Sequence, residues 1–180
     1  MDLLRIGDKL ISRSKIARFI DAILQLRIQG ASQQEVANEL RVDRAFVSRL
    51  ETLGEVRKGG RIAIVGFPIG NRDEILQVAQ EEGVDYCLIL TDKERWDWPN
   101  RLSGAEVVNQ LFDLISEIKE YDNVIFIGSD KRIRLVETIL GRDMVVAVQI
   151  GTSPIKADVT LDPDYMREVI HRLKTESESV

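Results

Sequence analysis

The sequence predicts an all-helical N-terminal domain followed by a small doubly wound, mostly parallel four-stranded α/β domain. Three observations lead to this fold class. Apolar residues recur at helical spacing in the first third of the chain, and short continuous runs rich in Val and Ile follow. Amphipathic segments separate those runs, as in a parallel sheet covered on both faces. We therefore expect one domain at residues 1–58, a second at 59–175 and a disordered tail at 176–180.

The N-terminal domain is expected to begin with a helix over about residues 14–29, which Gly30 follows. Ser32 and Glu35 then stand in the S-x-x-E spacing of a capping box, in which each side chain binds the backbone of the other residue. A second helix should therefore begin at this point and run to about Leu40.

A third helix is expected directly after a short turn. Asp43 is a suitable N-cap for a helix from Arg44 to about Leu53, because its carboxylate can accept free backbone N–H groups. Val42 would fill the corner of the turn, and the small Ala37 would let the second and third helices cross closely. The segment is therefore predicted to form a tight helical hairpin.

This hairpin resembles the helix-turn-helix of the lambda-repressor/Cro-like (Xre-type) family of bacterial regulators, over about residues 14–54 only. The matching residues, in the family's order and spacing, are Gln33, Val36, Ala37, Leu40, Val42, Val47, Ser48 and Leu50. The chain departs at Arg41, where the family commonly has glycine. We therefore expect Arg41 to be left-handed, with a strain of about 1 kcal/mol.

The resemblance implies a homodimer that binds double-stranded DNA, with the third helix as the recognition helix. The predicted DNA-binding residues are Gln33, Asp43, Arg44, Ala45, Ser48, Arg49, Arg57 and Lys58. Arginines at such positions can bind guanine edges. Residues 1–60 carry 11 Lys and Arg against 8 Asp and Glu, a balance of +3, whereas the rest of the chain carries −8. This asymmetry of charge suits an N-terminal domain that contacts DNA phosphates and a second domain that does not.

Four apolar runs predict the strands of the second domain: RIAIVGF, YCLILTD, NVIFIGSD and MVVAVQIG. Helical patterns complete four βα units, at 72–82, 103–121, 131–141 and 163–174. The domain is therefore expected to be Rossmann-like, with the flavodoxin-like strand order 2-1-3-4 as the expectation from fold statistics.

Ligands of such sheets bind beyond the carboxyl ends of the strands, where strand order reverses. Helix N-termini at this edge favour anions, which predicts a phosphorylated or carboxylated small effector. The predicted ligand-binding residues, with Arg132 close behind, are Gly66, Pro68, Gly70, Asn71, Asp92, Gly128, Ser129, Asp130 and Lys131. Gly and Pro also suit tight turns without a ligand, and both aspartates could instead cap helices.

The remaining chemistry-bearing residues are few. Trp96 and Trp98 fall together in the longest predicted loop, where they could form a lid, a patch for a partner chain or a cover for the edge of the core. Cys87 lies in an apolar strand and is expected to behave as a small hydrophobe. His171, the only histidine, is expected to be an exposed helix residue. With one cysteine and one histidine, we expect no metal cluster, no cofactor and no catalytic triad.

The predicted function is a sequence-specific DNA-binding transcriptional regulator whose α/β domain binds a small anionic effector, and the chain is not expected to be an enzyme. One alternative is an enzyme acting on a nucleotide or sugar phosphate, with Asp92 and Asp130 as its carboxylates. Another is an adaptor whose α/β domain serves only dimerisation. No apolar run approaches the roughly 20 residues that span a bilayer, so we expect no membrane partner and a cytoplasmic location.

Overall fold

The computed structural model describes residues 2–56 and 60–174, and the chain divides into two units at Glu55/Val56. We call them the N-terminal unit and the α/β unit. Arg57, Lys58 and the predicted tail at 176–180 lie outside the described residues.

The N-terminal unit opens with a β-hairpin, so the prediction of an all-helical domain is wrong. Strands β1 (Leu3–Ile6) and β2 (Lys9–Ser12) pair antiparallel. The connection has two residues and begins with Gly7 at φ +59°, a conformation that glycine adopts without steric cost. The apolar residues of this hairpin are mostly exposed, so its strands lack the alternation of buried and exposed positions by which a strand is recognised.

Three helices follow the hairpin: α1 (Arg13–Ile28), α2 (Gln33–Leu40) and α3 (Arg44–Gly54). The capping box at the start of α2 is confirmed, since the backbone N–H of Glu35 donates to Ser32 Oγ and that of Ser32 donates to the Glu35 carboxylate. Asp43 occupies the N-cap position of α3, but its side chain makes no capping hydrogen bond. That part of the prediction is wrong, because the backbone carbonyl of Asp43 accepts from Phe46 instead.

The core of the N-terminal unit is small. Its fully buried side chains are Ile23, Val36, Ala37 and Val47, one or two from each helix. Val42 packs against this cluster from the turn, as expected. The interhelical packing thus depends on the apolar faces that the sequence periodicity indicates.

Arg41 ends α2 with φ 56° and ψ 47°, which confirms the expected left-handed conformation. We predict that Arg41→Gly raises the free energy of unfolding of the N-terminal unit by about 0.5–1 kcal/mol, since glycine removes the Cβ strain but gains chain entropy in the unfolded state. Urea unfolding followed by circular dichroism measures the change. Arg41→Ala is the control, because it removes the charge and keeps the strain. Equal stability of the two variants would contradict the prediction.

The α/β unit alternates strands and helices along the chain. Its strands are β3 (Ile62–Gly66), β4 (Tyr86–Ile89), β5 (Asn123–Ser129) and β6 (Val145–Gly151). Its helices are α4 (Arg72–Glu81), α5 (Asp92–Asn100), α6 (Gly104–Ile118), α7 (Asp130–Leu140) and α8 (Pro163–Lys174). All four predicted strands and four predicted helices are present.

The four strands form one parallel sheet in the order β4-β3-β5-β6, which is the expected order 2-1-3-4. Side chains alternate between its faces. Ile62 and Ile64 of β3 belong to a cluster with residues of α4 and α8, whereas Ala63 and Val65 belong to a cluster with residues of α6 and α7. Helices therefore cover both faces, which explains why the strands read as continuous apolar runs.

Helix α5 occupies a segment predicted to be the longest loop, and that prediction is wrong. Thr91 and Glu94 form a second capping box in which Thr91 Oγ1 accepts the backbone N–H of Glu94. The helix contains Pro99 near its end and has no buried residue, so it lacks the apolar stripe by which helices are usually recognised.

Candidate functional site

A small cavity, which we call the polar compartment, lies at the carboxyl ends of the strands in the α/β unit. Its volume is about 170 Å³, and its lining residues are Phe67, Pro68, Arg95, Trp96, Ser129, Arg132, Ser153, Pro154 and Ile155. These residues follow β3, β4, β5 and β6, so every strand of the sheet contributes. β3 connects to β4 on one side and pairs with β5 on the other, which makes this edge the point where strand order reverses.

Arg95, on α5, is one of two arginines in the polar compartment, and its side chain is about one-tenth exposed. One terminal nitrogen lies 2.5 Å from the Asp92 carboxylate and donates to the carbonyl of Ile155 at 2.8 Å. The Nε atom is buried and has no hydrogen-bond acceptor within residues 2–56 and 60–174. A buried donor without an acceptor costs about 1–3 kcal/mol, so Arg95 can bind one more acceptor with advantage.

Arg132, in the first turn of α7, is the second arginine. Its guanidinium carbon lies 4.7 Å from the centroid of the Phe67 ring, a cation–π contact. In the described part of the chain, no carboxylate pairs with it. Burial, and after it the positive charge of Arg95, lowers the pKa of Arg132. Because arginine stays protonated at neutral pH, two like charges meet at this cavity, and an anion would stabilise both.

Two serines, Ser129 and Ser153, also line the polar compartment. Ser129 Oγ and Ser153 Oγ lie 2.6 Å apart and share a hydrogen bond. Each hydroxyl has one proton to donate, so the pair retains one donor for a ligand. Asp130 accepts the backbone N–H of Ser153 at 2.7 Å, which holds the pKa of its carboxyl below the usual range, and it pairs with Arg134. Asp130 thus fixes the segment that carries Ser153.

A larger apolar groove of about 790 Å³ adjoins the polar compartment and shares Phe67, Arg95, Trp96 and Arg132 with it. Its walls include strand residues such as Val65 and Leu88 and residues of α5 and α6 such as Trp98 and Leu111. Cavities of roughly 300–1,000 Å³ lined by apolar side chains are typical of small-molecule sites. The groove therefore has room for an apolar group joined to an anion in the polar compartment.

The two tryptophans border this groove and are both partly open to solvent, with Trp96 55 % and Trp98 38 % exposed. The indole N–H of Trp98 donates to Gln110 Oε1 at 2.8 Å, which ties α5 to α6. Trp96 lies beside Arg95, whose guanidinium is 5.3 Å from the indole ring. All three interpretations offered for these residues stay predictions.

Gly66 and Gly128, two of the glycines predicted to contact a ligand, pack closely against neighbouring side chains. A Cβ on Gly66 would lie 2.9 Å from Cβ of Ile127, and one on Gly128 would lie 2.8 Å from the Phe126 ring. Both distances are shorter than side chains tolerate. Gly66 and Gly128 are thus required by the close packing of neighbouring side chains, and neither lines the polar compartment.

Other predicted contacts are occupied by the protein itself. The Asn71 amide donates to the carbonyl of Leu161 and accepts its N–H, at 2.7 and 2.9 Å, and so fixes the chain before α8. A Cβ on Gly70 would lie 3.1 Å from Asp158. Gly70 and Asn71 thus make contacts within the protein, and neither lines the polar compartment.

Asp92 and Lys131 are likewise outside the lining, whereas Pro68 and Ser129 belong to it. Asp92 pairs with Arg95, and its backbone N–H donates to the Asp158 carboxylate at 2.6 Å. Lys131 is exposed beside Asp130. Asp92 thus lies next to the polar compartment, where it pairs with Arg95.

The predicted ligand-binding residues do not include Phe67, Arg95 or Ser153. The sequence prediction put Arg132 close behind the ligand site but not in it. Arg95 lies on α5, in a segment predicted to be a loop, and Ser153 lies two residues beyond the end of β6. A signal was present in the Thr91–Glu94 capping box, which places Arg95 one residue later in the first turn of a helix at the same sheet edge.

The predicted DNA-binding residues that the structure describes lie on α2 and α3 or just before α3. Arg44, Ala45 and Arg49 are exposed and Ser48 is half-buried. Gln33 donates to the Glu51 carboxylate at 2.7 Å. Hydrogen bonds from Arg27 and then Gln33 lower the pKa of Glu51, so Gln33 has a partner within its own unit. Asp43 is exposed at the start of α3.

Cys87 is half-buried in β4, and burial raises the pKa of its thiol to about 11, as expected of a cysteine that packs as a hydrophobe. His171 is exposed on α8. In residues 2–56 and 60–174, no three His, Cys, Asp or Glu side chains come together as a metal site would require.

Comparison with known proteins gives little likeness. No protein-family model and no curated protein matches the chain. A solved structure, that of the PhyR stress response regulator, is 17 % identical over 94 % of this chain and 68 % of that chain, with a TM-score of 0.24. A TM-score this low carries no argument about function. Within the described ranges, no helix is long and apolar enough to cross a membrane.

These comparisons correct the functional prediction. The prediction of a sequence-specific DNA-binding transcriptional regulator is supported by no family model and no curated protein, and it is withdrawn for this chain. The alternative of an enzyme acting on a nucleotide or sugar phosphate is not carried further.

Proposed function

We propose that the α/β unit binds a small organic anion whose charged end enters the polar compartment and whose apolar part lies in the groove. One observation carries this proposal: Arg95 and Arg132 line the same cavity, and no carboxylate pairs with Arg132 in the described residues. Charged groups in partly buried positions are stable when they are paired. A bound anion would complete the site.

The apolar groove supports an organic ligand over a bare inorganic ion. It shares Phe67, Arg95, Trp96 and Arg132 with the polar compartment, so one molecule can occupy both spaces. Indole and phenyl rings offer flat faces to an aromatic or aliphatic group. We propose binding without catalysis and without a cofactor. The polar side chains that line the compartment are those of two arginines and two serines, and the two serines hydrogen bond to each other.

Isothermal titration calorimetry of the full chain at pH 7.5 tests the proposal. The probes are 2-naphthoate, octanoate, 2-naphthyl phosphate and octyl phosphate, which combine two apolar bodies with two anionic head groups. We predict saturable one-to-one binding of at least one probe. Arg132→Gln should weaken that binding at least tenfold, since hydrogen bonds to charged groups contribute about 1.5–3 kcal/mol.

Arg142→Gln is the matched control for this experiment. Arg142 is exposed just beyond the carboxyl end of α7, whereas Arg132 lies at the start of that helix, and both substitutions remove one positive charge. The control should bind the probe within a factor of two of the unsubstituted chain. No saturable binding by any probe, or equal loss in the two variants, would overturn the proposed site.

For the N-terminal unit, we propose a helix-turn-helix fold and no function. The support is the turn at Arg41 between α2 and α3, the packing of Val36 and Ala37 against Val47, and the resemblance in residue spacing. The homodimer and the cytoplasmic location stay predictions.

A further inference from the structure

We infer that the anionic end of the ligand is a carboxylate rather than a phosphate ester. This inference rests on the proposed function and adds the chemical class of the ligand. Its basis is the balance of charge around the polar compartment, together with the contacts that each charged side chain already makes.

The polar compartment offers one unpaired positive charge. Among residues 2–56 and 60–174, the charged residues in its lining are Arg95 and Arg132. The Asp92 carboxylate lies 2.5 Å from a terminal nitrogen of Arg95 and neutralises that charge. Arg132 contacts the Phe67 ring and has no carboxylate partner in the described residues. A ligand with a single negative charge therefore balances the site.

Two other acidic residues near the site have cations of their own, and the groove carries one further charge of each sign, Asp97 and Arg101. Asp130 pairs with Arg134 at 2.9 Å and accepts the backbone N–H of Ser153. Glu94, which borders the groove, pairs with Arg72 at 2.7 Å. Each of these carboxylates has its own cation, so neither compensates Arg132.

The hydrogen-bond donors also suit a carboxylate. A guanidinium presents two parallel N–H groups in a plane, which match the two oxygens of a carboxylate. The buried Nε of Arg95 has no acceptor in the described part of the chain, and the Ser129–Ser153 pair retains one hydroxyl proton. These donors can satisfy the remaining lone pairs of the two oxygens.

A phosphate ester would fit the volume but not the charge. At pH 7.5 it carries close to two negative charges, because its second pKa is about 6. The second charge would compete with Asp92 for Arg95, and the Asp92 carboxylate would face a like charge in a partly buried position. Repulsion from Asp92 thus discriminates against the dianion.

Calorimetry with head-group pairs on a common apolar body tests this inference. We expect 2-naphthoate to bind at least tenfold more tightly than 2-naphthyl phosphate, and octanoate at least tenfold more tightly than octyl phosphate. The neutral 2-naphthamide should bind at least tenfold more weakly than 2-naphthoate. Asp92→Asn, which keeps the shape of the side chain and removes its charge, should reduce the preference for carboxylate severalfold.

The outcomes separate the inference from the proposed function. If the phosphate esters bind more tightly than the carboxylates and depend on Arg132, the inference is overturned and the proposed function stands. A preference that Asp92→Asn leaves unchanged also overturns it, since the discrimination would then have another cause. If no probe binds, the inference and the proposed function fail together.

Discussion

Replacing Ile64 with alanine is expected to lower the free energy of unfolding of the α/β unit by about 2–5 kcal/mol, the range for deleting a buried isoleucine side chain. Ile64 lies in the middle of β3, opposite Cys87 of β4 and Ile125 of β5, and it is fully buried. Its side chain belongs to the cluster that joins the sheet to α4 and α8. The main chain on both sides restricts collapse, so a cavity should remain.

Tryptophan fluorescence during urea unfolding measures this effect selectively, because the chain has two tryptophans and both lie on α5 of the α/β unit. Ile64→Val, which removes one methyl group, should cost about 0.5–1.5 kcal/mol. Leu135→Ala is the exposed control, since Leu135 is 59 % exposed on α7. A loss below 1 kcal/mol for Ile64→Ala would show that β3 is not in the centre of this core.

The parallel sheet could be predicted because each of its strands is marked by a continuous apolar run within a few consecutive residues. A strand covered on both faces needs apolar residues at every position, and β3 and β5 are buried throughout. The order of the strands was an expectation from fold statistics, since no residue of β3 specifies β5 as its neighbour.

The hairpin and α5 could not be predicted from periodicity. β1 and β2 have four residues each and expose most of their apolar side chains, so no buried face marks them. Helix α5 has charged residues and tryptophans around its circumference. The local signals that remain are the turn at Gly7 and the Thr91–Glu94 capping box, and both are short.

The predicted site and the proposed one lie at the same sheet edge but share few side chains. Glycine and asparagine in the loops suggested ligand contacts, whereas Gly66 packs on Ile127 and Asn71 binds the backbone of Leu161. These demands come from residues up to 90 positions away in the chain, which local patterns do not show. Arg95 is identified as a site residue by its position on α5, which places it in the lining of the cavity.

The error in function has a related physical cause. Six of the eight residues that carry the resemblance to helix-turn-helix proteins belong to the core of the N-terminal unit or pack against it: Val36, Ala37 and Val47 are buried, and Leu40, Val42 and Leu50 are partly buried. Buried residues specify how helices pack, and a partner is chosen by the exposed ones. A shared packing pattern over three helices therefore predicts the fold of a short segment better than it predicts what that segment binds.

Ile23→Ala is expected to unfold most or all of the N-terminal unit while the α/β unit stays folded. Ile23 is fully buried on α1, and the core to which it belongs contains only three other buried side chains. The substitution should cost about 2–5 kcal/mol. A unit of 55 residues typically has a total stability of roughly 3–8 kcal/mol at 0.05–0.15 kcal/mol per residue, so the loss approaches the whole.

Amide proton–nitrogen correlation spectra at 25 °C measure the two units separately. The peaks of α1, α2 and α3 should lose their dispersion, and the urea midpoint by tryptophan fluorescence should stay unchanged, since both tryptophans lie in the α/β unit. Ile28→Ala is the matched control, because it removes the same side chain from the same helix at a site 76 % exposed. A parallel fall in the fluorescence midpoint for Ile23→Ala would contradict independent unfolding of the two units. Retention of a dispersed N-terminal spectrum would show that Ile23 contributes less than its burial implies.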